Sequence, residues 1–186
     1  MSHASNQHFA HDLLDQAFDA IPLTRAMQIS LHRYDGDSLT LRAPLAPNVN
    51  DKGCAFGGSL AGLLTLAGWG LVVLRLKALG HDCDVYVQDS TIRYLAPVWD
   101  DLVAHASLVE GESWDTFAAA LKARGRARLR LSCRAPLAAG GDACTLQARF
   151  VALVRPRDNA DAGGDRVRRR TPPRADLRHN KRNAPG

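Results

Sequence analysis

The chain has 186 residues, 46% of them hydrophobic, which suits one domain with a tail and argues against two full domains. The formal net charge is +5, but from Arg155 onward there are ten basic residues and four aspartates, so the remainder is close to neutral. The basicity belongs to the tail, and a basic nucleic-acid-binding face on the fold is not expected. Cys54, Cys83, Cys133 and Cys144 contain no CxxC pair, and read as four reduced thiols of a cytosolic protein rather than a disulfide framework or zinc site.

The N-terminus lacks the basic start and long apolar run of a secretory leader, which predicts a cytoplasmic protein. Phe9 to Ala20 places Phe9, Leu13, Leu14, Ala17 and Phe18 at helical spacing, with Pro22 as the stop. Met27 to Tyr34 alternates apolar and polar residues, Asp35-Gly36 is a turn signal, and Ser38 to Ala43 alternates again; together they predict a β-hairpin. Ala43 to Asn50 reads as a loop rich in proline and asparagine.

Gly57 to Leu74 has no charge in eighteen residues, the lower threshold for a membrane span. Five of the eighteen are glycine, Arg75 and Lys77 follow at once, and the flanking segments read as soluble strands. The segment is therefore expected to be a buried helix surrounded by other elements, with no membrane span.

Strands are predicted over Asp84–Leu95, Asp101–Val109, Arg124–Arg134 and Ala143–Val154, with a short helix over Ser113–Leu121. Arg124, Arg126, Arg128 and Arg130 fall on one strand face, opposite Ala127, Leu129, Leu131 and Cys133. Such a row could bind phosphate, but reads here as a solvated sheet face. Residues 156–186 hold one leucine, one valine and no aromatic residue, too little apolar surface to offset the entropy of ordering; a disordered basic tail is expected.

The order is helix, hairpin, buried helix, then four strands in meander style. That is an α+β layer architecture over residues 1–155. One sheet face cannot cover a helix that is apolar all round, so the sheet should curl around it and a second subunit should cover the rest.

The stretch APLAPNVNDKGCAFGGSLAGLLTLAGWGLV, followed by VQDSTIRYLAPV, resembles the thioesterase-type family of the hot-dog superfamily, some of whose members sit behind a GNAT-type acetyltransferase domain. The resemblance covers about Leu13 to Val154. It implies a hot-dog fold, a homodimer or dimer of dimers, and an acyl thioester ligand on CoA or an acyl carrier protein. In many related thioesterases a histidine precedes the two glycines, with an acidic residue nine positions later on the helix. Here those positions hold Phe56 and Thr65, a departure that removes the usual helix carboxylate.

Thioester hydrolysis needs hydrogen-bond donors for the carbonyl oxygen and an activated water. The free amides at the start of the apolar helix, at Gly57, Gly58 and Ser59, are the candidate oxyanion donors. Asn50 aligns with a loop asparagine that orients water or the carbonyl in related enzymes. Asp89 is the candidate base: by the two-residue period it shares a strand face with Val85, Val87 and Thr91, and desolvation there would raise its pKa. Asp51 is the alternative carboxylate. Ser59 and Thr65 are candidate hydrogen-bond donors to substrate or water. Phe56 and Trp69 are candidate substrate-contacting side chains, Trp69 as core or pocket lining. All seven histidines read as solvated, and no metal or cofactor is called for. The reading is an acyl thioester hydrolase; the alternative is a non-catalytic acyl-CoA or acyl-carrier binding module. A third expectation is weak, salt-sensitive nucleic-acid binding through the tail.

Overall fold

The computed structural model describes residues 3–155; the tail predicted over 156–186 lies outside the described residues. Helix α1 (His3–Asp19) buries Ala10, Leu14 and Phe18, one residue per turn. Pro22 does stop it, but also opens a second helix, α2 (Pro22–Met27), where its missing N–H costs nothing. Gln28 ends α2 in the left-handed region (φ +56°), so the first strand, predicted from Met27, begins only at Ser30.

Strands β1 (Ser30–Tyr34) and β2 (Ser38–Ala43) form the expected hairpin. A bulge between Leu31 and Arg33 turns Tyr34 into the core opposite Leu39. A short 3-10 turn (Ala46–Asn48) leads to helix α3 (Gly57–Ala78). The remaining elements are β3 (Cys83–Tyr94), β4 (Leu102–Leu108), α4 (Trp114–Arg124), β5 (Arg126–Pro136) and β6 (Asp142–Val154). Arg124 belongs to the last turn of α4, so the arginine row starts at Arg126.

All six strands join one antiparallel sheet in the order β1-β2-β4-β5-β6-β3. The predicted four-strand meander therefore holds only for β4, β5 and β6. Between β3 and β4 the chain passes the start of α3, where the Ala55 N–H donates to the Val98 carbonyl (2.8 Å), and β4 pairs with β2 instead. This leaves β3 at the far edge, paired with β6 alone.

Helix α3 packs against β2, β3, β4, β5 and β6, so the sheet wraps it as expected. A Cβ on Gly68 would stand 2.6 Å from Phe150 Cζ, and one on Gly70 2.9 Å from Leu39 Cδ2; these glycines bring the helix backbone onto the sheet. By length and composition α3 could cross a membrane. In the fold it is the core helix, with Leu63, Leu64, Leu71 and Leu74 fully buried. The half-buried stripe that includes Thr65, Leu66, Trp69 and Val73 is the part of α3 this chain does not fully cover.

The two sheet edges differ. At β1, Gln7 of α1 accepts from the Tyr34 N–H (2.8 Å) and donates to the His32 carbonyl (3.2 Å), occupying the strand's backbone groups. At β3, Tyr86, Val87, Tyr94 and Leu95 are exposed along the edge.

Candidate active site at the start of the central helix

The loop before α3 is closed on itself. Asn48 is 1% exposed and its Nδ2 donates to the carbonyls of Met27 (2.9 Å) and Pro44 (2.8 Å). Its own carbonyl accepts from the Phe56 N–H at 2.7 Å. Asn50 and Gly53 close a tight turn, which the positive φ of Gly53 (+85°) permits. These bonds fix Phe56 in extended backbone, from which α3 starts at Gly57.

Among the described residues, the first amide of the helix with a partner is that of Leu60, bonded to the Phe56 carbonyl at 3.1 Å. The amides of Gly57, Gly58 and Ser59 precede it and have no helical acceptor, and the positive end of the helix dipole adds to their pull on a negative oxygen. Two aromatic rings flank them. Tyr94 lies against Gly57, where a Cβ would meet its Cε1 at 3.4 Å, and its hydroxyl donates to the Gly57 carbonyl at 3.1 Å. Burial pushes the Tyr94 phenol above its usual range, so it is a neutral donor at neutral pH. Phe56, 55% exposed, lies against Gly58. Between these rings Gly57 is half-buried and Gly58 exposed. Sequence reasoning did not single out Tyr94; the aromatic residue shortly before Pro97 was the available signal.

The other predicted residues stand elsewhere or are occupied. The Asn50 side chain is spent within its own loop: Oδ1 accepts from the Lys52 N–H (2.8 Å), and Nδ2 donates to Cys54 Sγ (3.2 Å) and the Ala55 carbonyl (3.5 Å). Asp51 is exposed and pairs with Lys52 at 3.1 Å.

Asp89 does not share a face with Val85 and Val87. A bulge between Val87 and Asp89 shifts the register, so Val87 stands opposite the buried Phe150 while Asp89 stands opposite Arg149. Beyond the bulge, Ser90, Ile92 and Tyr94 pair with the core-facing Ala148, Leu146 and Cys144. Asp89 is left on the outer face, exposed, 3.6 Å from Arg149 Nη1. The sequence period could not reveal this, because one inserted residue reverses the alternation.

Thr65 and Trp69 lie half-buried on the open stripe of α3, and Trp69 Nε1 donates to the Val85 carbonyl at 3.1 Å. Ser59 is half-buried in the first turn. Burial pushes Cys133 up to about 12 and Cys144 up to about 11, so both are protonated at neutral pH and neither is a nucleophile. His105, read as solvated, is half-buried against Thr40 Oγ1 (3.1 Å).

A long central helix wrapped by one antiparallel sheet is the hot-dog fold. Residues 10–154 match the family described as "Putative thioesterase (yiiD_Cterm)", and the chain belongs to that family. Among solved structures it is similar to a protein of unknown function from Chlorobaculum tepidum, at 27% identity over 78% of this chain and 97% of that one, with a TM-score of 0.70. A putative thioesterase from Shewanella oneidensis is 29% identical over 77% of this chain and 97% of that one, with a TM-score of 0.68. A thioesterase from Haemophilus influenzae, 15% identical over 77% of this chain and 90% of that one (TM-score 0.59), shares the fold.

Proposed function

We propose that the protein is a cytoplasmic enzyme that hydrolyses an acyl thioester, carried on CoA or an acyl carrier protein. The observation that carries this reading is the start of α3, where two glycines leave the Gly57 and Gly58 amides open beside Tyr94. A thioester carbonyl placed there gains both amides as its oxygen becomes negative in the tetrahedral intermediate. Ser59 and Thr65 supply hydroxyls for substrate or water, and the acyl group lies along α3 past Trp69, with Phe56 covering the carbonyl end.

The reading includes a homodimer formed through β3. That edge pairs with no further strand among the described residues and carries exposed Tyr86, Val87 and Tyr94, whereas Gln7 of α1 bonds the backbone of the opposite edge. Pairing edge to edge continues each face of the sheet into the partner. Asp89 then stays on the outer face in both protomers, where it balances Arg149, and the Asn50 side chain is held within its own loop, so neither acts on the thioester.

The test is turnover of acyl-CoAs of increasing length by the full chain, wild type beside Gly57→Pro, with the oligomeric state measured in parallel. Proline is accommodated at the first helical position and Phe56 before it is already extended, so the variant removes one amide and keeps the helix. A fall in kcat of roughly 100-fold or more supports the oxyanion role. Equal rates remove it.

A second reading, a non-catalytic acyl-CoA or acyl-carrier binding module, is favoured by Phe56 and Thr65 standing where related enzymes carry histidine and acid. Saturable binding of acyl-CoA without turnover on either carrier would establish it. Salt-sensitive association of residues 156–186 with nucleic acid is a separate expectation, tested by deleting them.

A further inference from the structure

At the other end of α3, roughly 33 Å from Gly57 by helix length, lies a cavity of about 370 Å³. It opens between α1, the β1–β2 turn and the last turns of α3, and its walls are Phe9, Tyr34, Gly36, Arg75, Lys77 and Leu79. That volume is at the lower end for small-molecule sites.

Lys77 is already engaged, with its Nζ 2.7 Å from Asp82. Arg75 is not: among the described residues no carboxylate lies within ion-pair distance of it. One face of its guanidinium is covered by the Trp114 ring, 5.7 Å from the centroid. Its Nε is sealed from solvent and has no hydrogen-bond partner among the described residues. Nη1 reaches toward the turn, 3.8 Å from where a Cβ on Gly36 would stand. The ring attracts the cation but accepts none of its N–H bonds in the guanidinium plane. A half-buried cation without a counter-charge is costly, and a planar anion on its open edge relieves that cost.

Two acids sit in the neighbouring turn. Asp35 is held by Ser38, through both the hydroxyl and the backbone N–H (2.8 Å each), and lies 3.7 Å from Arg33. Asp37 is exposed at the turn. The carbonyl end of α3 opposes an anion, and Arg75 and Lys77 in its last turn offset that field. Tyr34, whose phenol burial pushes above its usual range, is a neutral donor in the same wall.

We propose that this cavity binds a small organic carboxylate, its charge forked on Arg75 and its apolar body against Phe9, Tyr34 and Leu79. A carboxylate fits better than a bare inorganic ion, because the walls beside the cation are largely apolar. This site is independent of the thioesterase reading.

The experiment is an amide NMR titration of the full chain with hexanoate and with benzoate, against chloride, phosphate and hexanol at matched ionic strength. Saturable shifts at Tyr34, Gly36, Ala78 and Leu79 with either acid, absent with hexanol, are expected. Arg75→Gln should weaken binding about tenfold or more, and Arg75→Lys should recover part of it. Leu79→Glu, at an exposed position on the cavity wall, leaves Arg75 in place and supplies a competing charge; it too should lose binding and covers the case in which Arg75→Gln fails to fold. Shifts confined to Gly57–Ser59, equal response to chloride or phosphate, or undiminished binding in folded Arg75→Gln or Leu79→Glu would overturn the proposal.

Discussion

The Tyr94 hydroxyl donates to the Gly57 carbonyl at 3.1 Å, tying the end of β3 to the first residue of α3. The bond holds the helix start at a fixed distance from the edge strand, so the orientation of the Gly57 and Gly58 amides depends on it. Tyr94→Phe keeps the ring against Gly57 and removes only the hydroxyl. The expected cost is about 0.5–1.5 kcal/mol of stability by denaturant melt. On the proposed oxyanion role, in which the amides act on the transition state, turnover should fall several-fold with KM little changed.

Thr65 stands where related thioesterases carry an acid, and no residue of α3 is a carboxylate. The wild-type rate should therefore rise with pH and lack an acid-side ionisation near the usual carboxylate range. Thr65→Asp should introduce that ionisation and raise kcat, by about 100-fold if the new carboxylate acts as general base. A pH–rate profile of both proteins decides it.

Asp89 and Arg149 form an exposed pair at 3.6 Å, next to the pair of Arg130 with Glu112 at 2.9 Å. Arg130 and Arg149 face each other across β5 and β6, so the two acids separate like charges. Asp89→Asn should cost at most about 1 kcal/mol and leave acyl-CoA turnover within about twofold of wild type. Lost turnover in a folded dimer would return Asp89 to the mechanism.

Gly68 faces Phe150 and Cys133, with a would-be Cβ at 2.6 Å from the ring and 3.1 Å from the sulfur. Both neighbours are fully buried and cannot swing aside. Gly68→Ala gains helix propensity but overpacks the core, and should lose about 1–3 kcal/mol by chemical denaturation.

His105 has its pKa lowered from 6.5, first by burial and then by Arg134. In the window between the lowered folded value and 6.5 the unfolded chain binds more protons, so stability rises with pH there and is lost as pH falls. His105→Gln should flatten the dependence of Tm on pH just below 6.5 while preserving the contact with Thr40.

Much of this architecture is legible in the residues because it is local. The alternation of Ser38–Ala43, the uncharged run from Gly57 and the capping serine at 113 each specify their element through contacts a few residues apart. The helix start follows from the glycine pair, so the Gly57 and Gly58 amides could be named as candidates. Three things were not local. Strand order depends on how residues 95–101 cross the start of α3, which no spacing in β3 or β4 encodes. The face of Asp89 depends on one inserted residue in β3, and a period of two carries no record of where a bulge falls. The exposure of Arg75 to a cavity depends on α1, α4 and a turn converging on it from distant parts of the chain. Sequence alone therefore determined most of the elements and named the Gly57 and Gly58 amides as candidates. Packing decided which side chains share a face, since burial and electrostatics are properties of neighbours brought together only by the fold.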